Sequence, residues 1–363
     1  MTKREKEILE IIRENPMISQ KECSEILGIT RSSVAGHIMN LTNKGFIRGK
    51  GYILKEDEYA LVIGGANIDI QGFPSGDHLT MGDSNPGEVR ISCGGVGRNI
   101  AENMARMGMD VKLLTVLGGD VYGRQLQEES SAAGVDMNHV LRLPDEPTST
   151  YLSILNGSGD MAVAVSHMDI TKKISIDYIR EKARLVRNAA LIVVDANLPA
   201  EIMEYITSEF SDCPIFADTV STAKAVKLKN CIGAFHTVKP NRLEAEILTD
   251  VRILSEEDAG RAAEILLTRG VKRVFISLGE EGLYYRDSRG QELIRQPETE
   301  VINATGAGDA FMAGLAYSFM EEYGIRETAR FCMGASALAI GHEKTINPNI
   351  SVENIKSIIR EMK

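Results

Sequence analysis

Six continuous apolar runs, separated by stretches of helical periodicity, limit the fold of this chain more than any other feature. They are "YALVIGGANIDI", "DVKLLTVLGGD", "ALIVVDANL", "CPIFADTV", "AFHTVKP" and "VKRVFISLG". A run that is apolar throughout reads as a strand buried on both faces, as in a parallel sheet. Helical stretches such as "DAGRAAEILLTRG" lie between the runs. The expected fold over residues 59–363 is therefore a doubly wound α/β sheet with helices on both faces. The first run reads as one strand ending in polar groups, which puts Asp69 near a strand's carboxyl end, where open α/β sheets hold ligands. Two segments differ, "HVLRLPDEPTSTYLSILN" and "GDMAVAVSHM", which alternate with a period of two. They predict antiparallel strands of a small added sheet, a lid near 72–92 and 139–168.

Residues 1–56 read as a separate module. Ile8, Leu9, Ile11 and Ile12 fall on helical spacing before Pro16. Ser19, with Glu22 three residues on, signals a capped second helix that Gly28 ends. Thr30 caps a third, with Val34, Ile38 and Leu41 on one face, and "FIRGKGYIL" suggests two short strands around a turn. Three helices and a hairpin make a winged helix-turn-helix, which resembles the amino-terminal domains of bacterial biotin-repressor and Lrp-type regulators. The third helix would offer Arg31, Ser32, Ser33 and His37 to a major groove of double-stranded DNA, and Arg48 and Lys50 would reach phosphates. The same fold also serves as a dimerisation or docking module. The segment carries 10 Lys/Arg against 7 Asp/Glu, about +3, in a 363-residue chain of net charge -10. A mildly basic end on an acidic body fits two separate jobs.

Aromatic residues make up 5% of the chain and Trp is absent, which argues against a stacking platform for single-stranded nucleic acid. The five cysteines are widely spaced with no CxxC pair, which argues against a disulfide scaffold or zinc ribbon. No run is long and apolar enough to span a membrane, and the start shows no signal peptide. The expected compartment is the cytoplasm.

Four loops carry the chemistry. In "NATGAGDAFMAG", Thr305, Gly306, Ala307 and Gly308 lead into a helix, whose first N–H groups and dipole favour an anion. Asp309, in the first turn, is placed to take a proton from an attacking hydroxyl. A glycine-rich turn with Asp309 as a cap is the alternative. In "CGGVGRNIAENMARMG", Gly94, Gly95 and Gly97 precede Asn99 at a helix start, a close-approach loop without the GxGxxG spacing of a dinucleotide site. In "VKPNRLEAE", Asn241 and Glu244 are three apart and suit a hydrated Mg²⁺ beside phosphates, with surface capping as the alternative. In "SLGEEG", Ser277, Gly279 and Gly282 follow a buried strand and suit a flat nucleotide. No Walker A sequence occurs, which excludes a P-loop kinase.

Taken in order, the four loops resemble the ribokinase-like (PfkB) family of carbohydrate and nucleoside kinases over about residues 60–360. "GGVGRN" is similar to its amino-terminal signature, "NATGAGDAFMAG" to its carboxyl-terminal one, and Asn241 with Glu244 to its N-x-x-E motif. The resemblance implies ATP and Mg²⁺ as cofactors and Asp309 as the base that deprotonates a primary hydroxyl. It implies Ala307 and Gly308 in the anion hole, Asp69, Gly95 and Asn99 on sugar hydroxyls, and 277–282 along ATP. The family usually has Asp where this chain has Asn303, a position that shapes a monovalent-cation site, so K⁺ dependence is in question. "GANIDIQG", "DSNPG" and "HTVKPNRLEAE" further resemble the pseudouridine kinases of that family, and the Asn303 variant is shared with them. That branch implies transfer to the 5'-hydroxyl of pseudouridine, with other nucleosides or ribose as alternatives, and a regulator that uses the kinase fold as a sensor as the rival class. Candidates around the nucleoside are Asn67, Asp69, Ser84, Asn85, Gly94, Gly95, Asn99, Thr150, Tyr151 and His167. A homodimer is expected.

Overall fold

The computed structural model describes residues 1–47, 58–76, 79–156, 160–295, 301–303 and 305–361. The chain divides into two compact units, Met1–Glu58 and Tyr59–Lys363.

The first unit holds helices Lys3–Glu14, Gln20–Leu27 and Arg31–Asn43. Each starts where a side-chain oxygen accepts an early N–H: Thr2 from Glu5, Ser19 from Glu22, and Thr30 from Ser33. Gly28 closes the second helix at φ +60°, a conformation that costs glycine little. Ile8, Ile12, Val34 and Leu41 are fully buried in a core of their own. Lys44 donates to the buried Glu5 at 2.8 Å and so ties the end of the third helix to the start of the first. Arg31, Ser32 and Ser33 are exposed at the start of the third helix, and His37 is half-buried one turn on. The expected hairpin, with Arg48 and Lys50, lies outside the described residues.

In the second unit the described residues form a nine-stranded sheet. Parallel strands Thr237–Val238, Ile215–Asp218, Leu191–Asp195, Ala60–Ile63, Val111–Leu114 and Val135–Asp136 follow one another across it. Arg273–Ser277 continues in parallel beyond Thr237–Val238, and Leu283–Asp287 and Gln291–Ile294 finish that edge antiparallel. Burial explains the continuous apolar runs. Leu61, Ile63, Ile192 and Val194 enter the core on one face, while Ala60, Val62, Leu191 and Val193 enter the core on the other. The chain order reverses between Ala60–Ile63 and Leu191–Asp195, so their carboxyl ends part and open the crevice where such sheets bind ligands.

The expected single strand "YALVIGGANIDI" is two. Ala60–Ile63 belongs to the main sheet, and Asn67–Pro74 belongs to a second sheet of order Gly87–Gly94, Asn67–Pro74, Thr150–Leu155, Met161–His167. The break falls at Gly64–Gly65. A Cβ on Gly64 would lie 2.3 Å from a carboxylate oxygen of Asp195, and the Gly65 N–H donates to that carboxylate at 2.8 Å. The chain must turn there, which carries Asp69 out of the main sheet. The lid is mixed rather than antiparallel, because Asn67–Pro74 runs parallel to Thr150–Leu155. "HVLRL" is not in it: Leu141–Leu143 pairs instead with Val116–Gly118 in a separate two-stranded sheet.

Candidate active site

The helix Ala307–Met320 begins at the crevice. Its N-cap, Gly306, has φ +88°, and a Cβ there would fall 2.1 Å from the Thr345 carbonyl oxygen, so no larger residue fits. The first N–H groups of a helix have no intrahelical acceptor, and those of Ala307 and Gly308 head this one. Thr305 departs from expectation: its N–H donates to the Asn303 side chain at 2.9 Å and is not presented to an anion.

Asp309 is 9% exposed and accepts a 2.8 Å hydrogen bond from Asn99 Nδ2. Asn99 stands in the helix Val96–Arg106, which packs on Ala307–Met320, so the two signature loops meet across 210 residues of sequence. The orientation of that amide has its own support, since the buried Arg98 guanidinium reaches Asn99 Oδ1 at 3.4 Å and Cys93 O at 3.2 Å. Burial pushes the Asp309 carboxyl up to about 8, helped by the charges of Asp218 and Asp195 and opposed by the Asn99 bond and Lys239. A carboxyl poised there can exchange a proton near neutrality.

Three charged residues in this crevice were not singled out in the sequence. Asp195 and Asp218 end adjacent parallel strands and are buried. Lys239, 8% exposed, holds its ammonium 3.7 Å from Asp218 Oδ2, an oxygen with no hydrogen-bond partner. A Cβ on Gly308 would lie 3.1 Å from that ammonium, so the cradle is glycine where the lysine comes closest. The available signal was position: each follows or ends an apolar strand on the carboxyl edge of the sheet.

Lys239 leads directly into Pro240 and Asn241, which links this centre to the third and fourth loops. Asn241 is the N-cap of Arg242–Thr249 and forms a reciprocal capping box with Glu244. The cap is buried rather than superficial, with Glu244 4% exposed and its Oε2 also accepting from Thr219 Oγ1 at 2.5 Å. Asn241 bridges to Ser277 at the end of Arg273–Ser277, and the turn beyond it uses Gly279 at φ +65° and Gly282 at φ +110°. The cap and the turn are therefore neighbours, as a shared nucleotide site requires. Among the described residues no group of three or more His, Cys, Asp or Glu side chains could hold a metal ion. One nearby carboxylate, Glu244, suits Mg²⁺, which keeps its waters and takes most of its remaining ligands from phosphates.

The lid divides the remaining candidates. Asn67 donates to Asp69 at 2.6 Å, and burial raises the Asp69 carboxyl above its usual range. Gly94 lies so near that a Cβ would meet Asp69 Oδ2 at 2.1 Å, and Gly95 abuts the backbone of Gly65 and Ala66. Both glycines admit neighbouring protein at close range. Register puts Ser92 and Tyr151 beside Asp69, and Ser166 beside Tyr151, a polar row on one face. Thr150 aligns with Ile68 and faces His167, so both stand on the opposite face from Asp69. Ser84 and Asn85 lie in the exposed turn beyond the Pro74–Gly87 pair, about 17 Å along the strands from Asp69. There Asn85 bonds the backbone of Thr80 and Asp83.

A buried carboxyl beside the leading N–H groups of a helix, with a capped turn alongside, is an arrangement that suits phosphoryl transfer without a P-loop. Residues 57–352 match the model of the pfkB family carbohydrate kinases, and residues 1–48 match a winged helix-turn-helix DNA-binding model. The chain is 41% identical over 360 residues to the uncharacterized sugar kinase YeiI of Escherichia coli (strain K12), covering 99% of each. It is 39% identical over 307 residues to the pseudouridine kinase of the same organism, covering 84% of this chain and 98% of that one. Among solved structures, a carbohydrate kinase from Agrobacterium tumefaciens is 28% identical with a TM-score of 0.74, over 84% of this chain and 97% of that one. The chain belongs to the PfkB family of ribokinase-like kinases. It is an ATP-dependent phosphotransferase acting on a hydroxyl of a nucleoside or sugar.

Proposed function

We propose that the acceptor is the 5'-hydroxyl of pseudouridine and the product pseudouridine 5'-phosphate. The observation that supports this most is the likeness to the E. coli pseudouridine kinase, which runs over nearly the whole of that enzyme. Asp69 and Asn67 suit the ribose hydroxyls, and the polar row of Ser92, Tyr151 and Ser166 on the same lid face suits a uracil edge better than Thr150 and His167.

In the proposed reaction Asp309 takes the proton of the attacking hydroxyl, held in place by Asn99. The N–H groups of Ala307 and Gly308 receive the charge that gathers on the transferred phosphoryl oxygens, with Gly306 allowing the approach. Lys239 adds a fixed positive charge behind the cradle. Residues 277–282 would line ATP, and Glu244 and Asn241 would hold, through water, a Mg²⁺ ion whose charge would offset that of the phosphates. The lid excludes water from the transfer.

The first unit is proposed to bind double-stranded DNA through Arg31, Ser32, Ser33 and His37, in accord with its winged-helix match. A homodimer is proposed as well. The lid face opposite Asp69 is apolar and open, with Val89, Ile91, Val163 and Val165 each at least half exposed, and a second copy would cover it. All five cysteines are free thiols, which suits a reducing cytosol. Among the described residues no helix is long and apolar enough to cross a membrane.

The test is ATP consumption with pseudouridine, uridine, inosine, adenosine, ribose and fructose. Strong preference for pseudouridine supports the reading, whereas preference for another member keeps the mechanism and replaces the substrate. Tight binding of one member without turnover would favour a ligand sensor over an enzyme.

A further inference from the structure

The segment that leads into the phosphate cradle is laced to the turn after the helix Ile325–Ile340. The N–H groups of Ile302 and Asn303 both donate to the Ile340 carbonyl, at 2.9 and 3.1 Å. Gly306 presses on the Thr345 carbonyl. Between them stands Asn303, whose Nδ2 donates to the Glu343 carbonyl at 2.9 Å while its Oδ1 accepts from the Thr305 N–H at 2.9 Å. Three carbonyl oxygens, of Ile340, Glu343 and Thr345, therefore face Ile302, Asn303 and Gly306.

Carbonyl oxygens gathered on one side of a loop carry partial negative charge that something positive must offset. An aspartate at 303 would add a full negative charge and no donor, and a monovalent cation between the loops would then be needed to hold them together. The residues present do not fit such a cation. The donor half of the Asn303 amide already occupies the Glu343 carbonyl, and its acceptor half is taken by Thr305. Carbonyl, amide and backbone N–H form a closed and neutral chain of hydrogen bonds.

We infer that Asn303 is a positioning residue that fixes the phosphate cradle by its own amide, so that phosphoryl transfer by this chain requires no monovalent cation. The inference rests on the kinase reading of the same site. Glu343 O, through Asn303, sets where the Thr305 N–H points, and Thr305 leads into Gly306, Ala307 and Gly308. A change at 303 therefore acts on the cradle without touching the substrate.

The experiment compares the full-length protein in tetramethylammonium chloride and in potassium chloride at equal ionic strength, with ATP supplied free of K⁺ and Na⁺. The wild type is expected to change by less than about twofold between the salts. Asn303→Asp, which loses the donor and gains a charge, is expected to fall at least tenfold in tetramethylammonium and to recover with K⁺. Asn303→Ala, which loses both bonds without adding charge, is expected to be impaired equally in both salts. Stimulation of the wild type fivefold or more by K⁺ overturns the inference, as does an Asn303→Asp enzyme as active as wild type without K⁺. Should neither variant fold, the wild-type comparison decides alone. Hydrogen exchange at 301–306 adds a readout independent of turnover: it is expected to be unchanged by K⁺ in the wild type and slowed by K⁺ in Asn303→Asp. Absence of phosphoryl transfer to every acceptor in both salts would refute the kinase reading instead.

Discussion

Asp309→Asn tests the site from two sides at once, because the charge proposed for catalysis is one that the fold resists. The carboxyl is held up to about 8 against an ordinary value of 3.8, first by burial and then by the neighbouring charges of Asp218 and Asp195. The folded state therefore binds a proton more tightly than the unfolded state. The stability linked to this group is fully present below its unfolded value and is lost as pH rises through about 8. Each unit of separation is worth about 1.4 kcal/mol, so ionising Asp309 in the fold costs several kcal/mol, about 6 as an upper bound. An uncharged amide of the same shape escapes that cost, and its oxygen can still accept from Asn99. The variant should unfold several degrees above the wild type at about pH 9, and the gap should close towards about pH 4. Turnover should move the other way, falling roughly 10²- to 10⁴-fold with loss of the general base. In the wild type, kcat/KM should rise about tenfold per pH unit and level off near 8. Thermal melts across that range and a kcat/KM profile are the assays. A variant less stable than wild type at about pH 9, a flat profile, or near-normal turnover would each refute the reasoning.

Three further outcomes are expected. Asn99→Ala removes the hydrogen bond that lowers the Asp309 carboxyl, so the acid limb of kcat/KM should move to higher pH; an unmoved limb would show that the bond does not tune the base. Gly306→Ala puts a Cβ against the Thr345 carbonyl at φ +88°, and should cost about 1–3 kcal/mol of stability and most of the ATP affinity, read by melting and by titration of nucleotide. Normal nucleotide binding there would disprove the tight cradle. Arg31→Ala should weaken DNA binding and its salt dependence while leaving the phosphotransfer rate unchanged; intact DNA binding would redirect attention to other residues of the first unit.

The sequence by itself determined whatever depends on a short stretch of chain. Apolar runs too continuous to be half-exposed specified buried parallel strands, and Ser19, Thr30 and Gly28 marked helix ends because capping is settled within three or four residues. "GAGD" pointed to a helix start suited to an anion for the same reason, since its glycines and its helix start are adjacent. What only the tertiary structure decided is set by partners far apart in sequence. Asp69 left the main sheet because Gly64 and Gly65 must turn against Asp195, 130 residues beyond Gly65. Thr150 and His167 fell on the far face of the lid, and Tyr151 and Ser166 on the near one, through a register that no single strand records. Lys239 and Asp218 each looked like an ordinary strand-end polar residue, and became part of a charged centre only where adjacent parallel strands bring their carboxyl ends beside Asp309. Local chemistry names the groups, but the dielectric around Asp309 and the charges that face it exist only once strands and helices hundreds of residues apart have packed together.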